Sequence, residues 1–195
     1  MNKPIQQRTL KTRARLVAAA QEIIKEVGHE ALRTEEVVKR AKVAKGTFFA
    51  HFPDKDALLD LLIGEELNSC VDGLAELPPP ASVEALVAQL MPLLDLMSRS
   101  RMVFDVIVRY SGAAAIEEVG PIAENFGKQL DLFIRWFDPL GNHPFRRDIS
   151  PELMGEGVQA FVIQAIALNF CNLHNDVDMT KRLTQYLRAW LLPPT

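Results

Sequence analysis

Between residues 45 and 52 the chain reads Lys-Gly-Thr-Phe-Phe-Ala-His-Phe. Lys45, Thr47 and His51 carry hydrogen-bonding groups, and Gly46 leaves room for close approach. Phe48 and Phe52, four apart, mark one apolar face of a short helix. Such a helix packs by its apolar side and presents small, basic and hydroxyl-bearing residues on the other. That is the chemistry needed to meet base edges in a major groove. A lone amphipathic helix is common in any core, so its neighbours must decide.

Other chemistries lack their residues. No nucleophile stands with a base, no Gly-rich loop has phosphate-cradling spacing, and Glu26-Val27-Gly28-His29 is not a zinc-protease motif. No enzyme, resident metal or cofactor is expected. Cys70 and Cys171 form no CxxC pair or Cys/His cluster and read as small apolar residues on helices. The N-terminus is charged where a secretory signal needs an apolar stretch, and no run of about 18 apolar residues occurs. A cytoplasmic protein without a membrane span is the expectation.

The elements that must position residues 45–52 are helical. Leu16, Ala19, Ala20, Ile23, Ile24 and Val27 trace one face of a first helix over about 9–27, with Gly28 at its C-terminal end. Thr34 reads as the N-cap of a short second helix whose face is Val37, Val38 and Ala41. The third would span about 44–51. Pro53 stops it, and Asp54 can cap a fourth over about 55–77, ended by Pro78, Pro79 and Pro80. Five further helices follow, with Pro92 a kink in the fifth and a loop at about 138–150. His143 and His174, in loops or near helix ends, would be solvated. The fold class is all-α with about nine helices. The expected domains are 1–53, a helix-turn-helix unit with a basic N-terminal arm, and 54–195, a helical domain.

Charge divides the same way. Residues 1–60 hold 12 Lys and Arg against 8 Asp and Glu; residues 61–195 hold 10 against 17. A basic front suits an anionic polymer. Lys3, Arg8, Lys11, Arg13 and Arg15 precede any acidic residue. On composition alone they are equally a solvated tail.

The stretch Thr34-Glu-Glu-Val-Val-Lys-Arg-Ala-Lys-Val-Ala-Lys-Gly-Thr-Phe-Phe-Ala-His-Phe52, continuing Pro-Asp-Lys-Asp-Ala-Leu-Leu59, resembles the DNA-binding region of the TetR family. The resemblance is close over about residues 12–60 and covers length and helical character beyond. It implies a sequence-specific transcriptional regulator, a repressor released from a palindromic operator by a small-molecule effector. Thr34 would cap the second helix and bring it to a phosphate. Lys45, Gly46 and Thr47 would face base edges, Phe49 would take the place of the family's usual tyrosine, and His51 and Lys55 would reach the backbone. The arm would contact DNA backbone or minor groove. Three positions depart from the pattern: Lys42 replaces the turn glycine, Ala44 the polar cap, and Phe49 the tyrosine. Lys42 would be strained at φ > 0 and adds a basic contact. These departures keep open an all-helical adaptor that binds protein and has lost DNA binding.

From Gly157 to Asn175 there is no Asp, Glu, Lys or Arg. A helix apolar all round must be buried all round. Val158, Phe161, Val162, Ala165 and Asn169, with Leu183, Tyr186, Leu187 and Trp190 of the last helix, would form a homodimer interface, or else a monomer's central helix. The resemblance implies a four-helix interface between copies and an effector pocket among helices four to eight. Met91, Phe104, Tyr110, Phe126, Phe133 and Trp136 are candidate lining residues, though an ordinary core position is the first reading of each. Arg109 could meet an acidic ligand, pair with Asp105 at i, i+4, or lie on the surface.

Overall fold

The computed structural model describes residues 3–112, 119–174 and 176–193, with side chains from residue 7 onward. The described residues form α1 (Lys3–Val27), α2 (Thr34–Arg40), α3 (Lys45–Phe49), α4 (Lys55–Ala75), α5 (Val83–Met97), α6 (Arg101–Tyr110), α7 (Pro121–Trp136), α8 (Pro151–Asn169) and α9 (Met179–Leu191). The fold is all-α, as the periodicity requires. Of the described helices, none is long and apolar enough to cross a membrane.

Two compact units divide between Gly64 and Glu65, inside α4. The sequence placed the division at 53, where Pro53 breaks the chain. Pro53 ends a helix but not a core: Leu58, Leu59, Leu62 and Ile63 are buried, and the first half of α4 belongs to unit 1.

Unit 1 is built on α1, which buries Leu16, Ala19, Ala20 and Ile23. It ends where Gly28 takes φ +81 and donates its N–H to the Ile24 carbonyl at 2.8 Å. A left-handed residue there satisfies an orphan carbonyl, and only glycine adopts it freely. From Lys3 the basic segment is helical, so the described arm is the first turns of α1. At α2 the N-cap position belongs to Arg33, whose carbonyl accepts from Glu36 and Val37 N–H. Thr34 is thus the first helical residue and not the cap; no side chain caps α2. Asp54 does cap α4, accepting from Ala57 N–H at 2.8 Å.

Unit 2 uses hydroxyl and carboxylate caps throughout. Ser82, Ser100, Ser150 and Asp178 accept from backbone N–H groups at the starts of α5, α6, α8 and α9. Pro121 opens α7, where its missing N–H is harmless. α8 packs against both α7 and α9. Two glycines let it approach. A Cβ at Gly155 would lie 2.8 Å from Leu130 Cδ1, and one at Gly157 would overlap the Trp190 indole.

Three details differ from the sequence reading. His143 is buried, stacked on Phe145 at 5.4 Å, with its Nδ1 accepting from Phe145 N–H. The aromatic cluster Phe137–Phe145 draws the loop inward. Cys171 lies past the end of α8, in a turn where its N–H bonds Leu168 O. Asp105 pairs with Arg101 at 2.8 Å, one turn before it, and not with Arg109.

Candidate nucleic-acid interface

The third helix is short because its sequence gives it little support. Ala44 stands at the N-cap with no side-chain bond, as the sequence implied. Packing supplies what capping does not. Phe48 and Phe52 are buried with ring centroids 5.6 Å apart, and Arg13 of α1 lies 4.2 Å over the Phe52 ring. Such a contact contributes about 0.5–2 kcal/mol. Arg13 also donates to the His51 carbonyl at 2.8 Å, so α1 holds the end of the α3 segment from behind.

With those rings inward, the opposite side of α3 is fixed. Lys45, Gly46, Phe49 and Ala50 are exposed, and Thr47 and His51 are half-exposed. A Cβ added at Gly46 would meet nothing within 4 Å, so this side is open to a large partner. Thr34 and Lys55 are half-exposed at the starts of α2 and α4.

The turn before α3 is a left-handed cap. Val43 N–H bonds Val38 O at 3.0 Å and Lys42 N–H bonds Lys39 O at 3.1 Å, the paired bonds of a helix ending with one residue in the left-handed region. That residue is Lys42, at φ 53, the one non-glycine with positive φ among the described residues. Arg15 compensates. Its Nη2 donates to the carbonyls of Ala41 and Lys42, placing a cation against the C-terminal end of α2. Lys42 itself is exposed.

Lys45 is already partnered. Its ammonium donates to Glu35 Oε1 at 2.7 Å, both groups being exposed. The Lys45 hydrogen bond holds the Glu35 carboxyl below the ordinary range. The pair stands between α2 and α3 on the surface that the sequence assigned to base edges.

Sequence reasoning missed a cleft. Arg8, Lys11, Thr12 and Arg15 of α1 face Val43, Ala44 and Thr47 across an open hollow of about 570 Å³. The spacing 8, 11, 12, 15 is one helix face and was readable as such. It was obscured by treating the first residues as a tail. The cleft is basic and adjoins Thr47, so its chemistry suits a phosphate backbone.

In unit 2, five of the nine residues assigned to a dimer interface are covered within the chain itself. Val158, Val162, Ala165, Leu183 and Leu187 are buried. Phe161, Tyr186 and Trp190 remain half-exposed and Asn169 exposed. Phe161 packs 5.3 Å from Tyr186 and 6.1 Å from Trp190, and Ala160, Gln164 and Ala189 are exposed. Within the chain α8 is therefore buried on one side, where α7 and α9 cover it, and not all round.

The ligand candidates are spread among several environments. Phe133 and Trp136 are buried 6.0 Å apart beside Phe137. Phe104 is buried against Phe170. Met91 Sδ accepts from Thr180 of α9, and the Phe126 carbonyl accepts from Gln159. Tyr110 is half-exposed and Arg109 exposed. A polar chain that the sequence did not flag runs through the same unit: buried Gln129 donates to buried Asn125, which donates to Asn68.

Comparison with known proteins agrees with this geometry. Residues 16–62 match the description of bacterial regulatory proteins, tetR family. Over 64 residues the chain is 31% identical to the A-factor receptor protein of Streptomyces griseus. That match takes in 33% of this chain and spans 23% of the relative's length. The Thermus thermophilus repressor FadR, solved with lauroyl-CoA, superposes with a TM-score of 0.63 at 24% identity, over 91% of this chain and 92% of that one. E. coli NemR in its reduced form gives 0.60 at 15% identity, over 94% and 100%. RolR bound to resorcinol gives 0.58 at 20% identity, over 96% and 91%. The family match thus covers residues 16–62, and the described chain shares the fold of these solved structures.

Proposed function

We propose that this chain is a sequence-specific DNA-binding transcriptional regulator, a homodimer that represses from a palindromic operator and is released by a small-molecule effector. The observation that carries the reading is α3. Phe48 and Phe52 lock it from behind while Lys45, Gly46, Thr47 and Phe49 stand outward beside a basic cleft. Phosphate contacts from Arg8, Lys11, Lys42 and Lys55 position the unit, and base contacts from α3 specify the site.

The dimer follows from the exposed aromatic face of α8 and α9. Phe161, Tyr186 and Trp190 give it a packed centre, and the small exposed Ala160 allows close approach. Two copies would carry two recognition helices to half-sites one helical turn apart. The effector binds in unit 2. Solved proteins of this fold include complexes with lauroyl-CoA and with resorcinol, which supports a small organic ligand. α4 runs unbroken from unit 1 into unit 2 and is the covalent route between ligand and DNA unit. The ligand acts only as far as it binds the released state more tightly.

Selection from a random duplex pool tests this reading. An inverted repeat with half-sites about one turn apart, bound by two chains in sedimentation, is the expected result. Recovery of no motif would sink it and bring forward the protein-binding adaptor.

A further inference from the structure

The outward side of α3 holds little that can hydrogen-bond. Lys45, Gly46, Phe49 and Ala50 are its exposed residues, and Thr47 turns toward the cleft lined by Arg8 and Lys11. Phe49 is one turn from Lys45 and three residues from Gly46, so all three share a face. It presents one cation and one aromatic ring, separated by residues too small to screen the ring. α3 contributes no asparagine, glutamine, arginine or carboxylate to it, and the carboxylate beside it, Glu35 of α2, is engaged by Lys45. The side-chain pairings that read adenine and cytosine by hydrogen bonds are therefore missing from it. Two base features remain within its chemistry: the guanine acceptors, for Lys45, and the thymine C5-methyl, for an apolar group.

Phe49 is the apolar group. It is 50% exposed on a helix that buries its other phenylalanine. Phe48, fixed in the core, meets it edge to face at 5.4 Å and 81°, which presets the ring before any partner arrives. A phenyl ring has no donor or acceptor for a phosphate oxygen. What it gains from DNA is burial of apolar surface, and in the major groove the apolar surface is the thymine methyl.

We propose that Phe49 is a specificity-determining residue that reads thymine through its C5-methyl group, beside Lys45 on a guanine. This deepens the DNA-binding reading above and rests on it.

The test uses the full chain and a duplex selected from a random pool. Each thymine in turn is replaced by deoxyuridine, which pairs identically but lacks the methyl, and affinity is read by fluorescence anisotropy. The expected result is one thymine per half-site whose methyl contributes about three- to fivefold, the value of burying one such group. Phe49→Ala binds the intact duplex as weakly as the native chain binds the deoxyuridine duplex and no longer distinguishes the two. Phe49→Leu, which keeps an apolar group, retains part of the discrimination. Circular dichroism melts verify that both variants fold. If no single methyl matters, or if Phe49→Ala still discriminates, the inference is wrong while DNA binding stands. A ring resting on sugar instead would give that first result, with Phe49→Ala weakening all duplexes alike. If no duplex is preferred over a scrambled one, the functional reading itself falls, and this inference with it.

Discussion

Arg15 donates from its guanidinium to the carbonyl oxygen of Lys42 at 3.2 Å, so the first helix clamps the one left-handed non-glycine residue of the described chain. The clamp sits directly before α3. A lysine in that conformation costs about 1 kcal/mol relative to glycine. A charge-assisted bond to a helix-end carbonyl contributes a comparable amount.

Lys42→Gly should therefore raise the stability of the chain by about 0.5–1 kcal/mol in chemical denaturation. Arg15→Ala should lower it by about 1 kcal/mol. The two should couple, because the clamp matters most where the turn is strained; in the Lys42→Gly background the loss at Arg15 shrinks. Additive effects would show that the clamp and the turn are independent.

Glu35 holds Lys45 at 2.7 Å, and on the proposed reading the pair must open for Lys45 to meet DNA. Glu35→Gln should strengthen DNA binding about two- to fivefold at low salt, with the gain fading as salt rises, since an exposed ion pair is weak and screened. The Glu35 carboxyl is held low by Lys45. The pair's small contribution is thus complete above the unfolded carboxylate range and is lost as pH falls through the lowered value. DNA binding measured on Glu35→Gln should lack whatever acid dependence that carboxylate gives the native chain. Unchanged affinity at every salt would show that Lys45 stays clear of the DNA.

Gly157 is fixed by Trp190. A Cβ there overlaps the indole, whose Nε1 donates to the Met154 carbonyl at 3.3 Å. Gly157→Ala should destabilise unit 2 by about 1–3 kcal/mol through overpacking and broaden the tryptophan emission. Ala160→Arg, on the exposed side of α8, should leave the melting temperature of the single chain intact but dissociate the dimer in sedimentation. A dimer that survives Ala160→Arg would move the interface elsewhere.

The two thiols should differ in reactivity. Hydrogen bonding from His174, at 3.4 Å, holds the Cys171 thiol below its ordinary range, while burial pushes Cys70 up. Iodoacetamide should label Cys171 first, with a pH profile displaced to lower pH than that of Cys70. His174→Ala should move the Cys171 profile to higher pH and leave that of Cys70 in place, and mass spectrometry of the digested chain reads both.

Much of this was legible in the residues. Period-3.6 spacing located the helices, and Gly28, Pro53 and Asp54 marked ends by simple backbone physics. The pattern around Thr34 to Leu59 located α3, down to the uncapped Ala44. What escaped were relations between distant residues. Periodicity shows that Val158 and Phe161 are apolar. It does not show that α7 and α9 cover the first and leave the second half-open. Nothing local to Arg15 announces that it closes a turn 27 residues on, or that Glu35 takes Lys45. A threonine before an acidic pair is a good cap by type, yet the backbone puts the cap one residue earlier, at Arg33. His143 was read as solvated because loops usually are, but Phe137 and Phe145 pull this one into a core.

The central claim is that α3 reads DNA sequence. Fluorescence anisotropy of the native chain and of the Lys45→Ala, Thr47→Ala double variant, each against a selected duplex and its scrambled counterpart across a salt series, addresses it most directly. The account predicts tight native binding to the selected duplex that weakens steeply with salt, weak binding to the scrambled one, and loss of the difference in the double variant. Native binding equal for both duplexes, or a double variant that still discriminates, would contradict it.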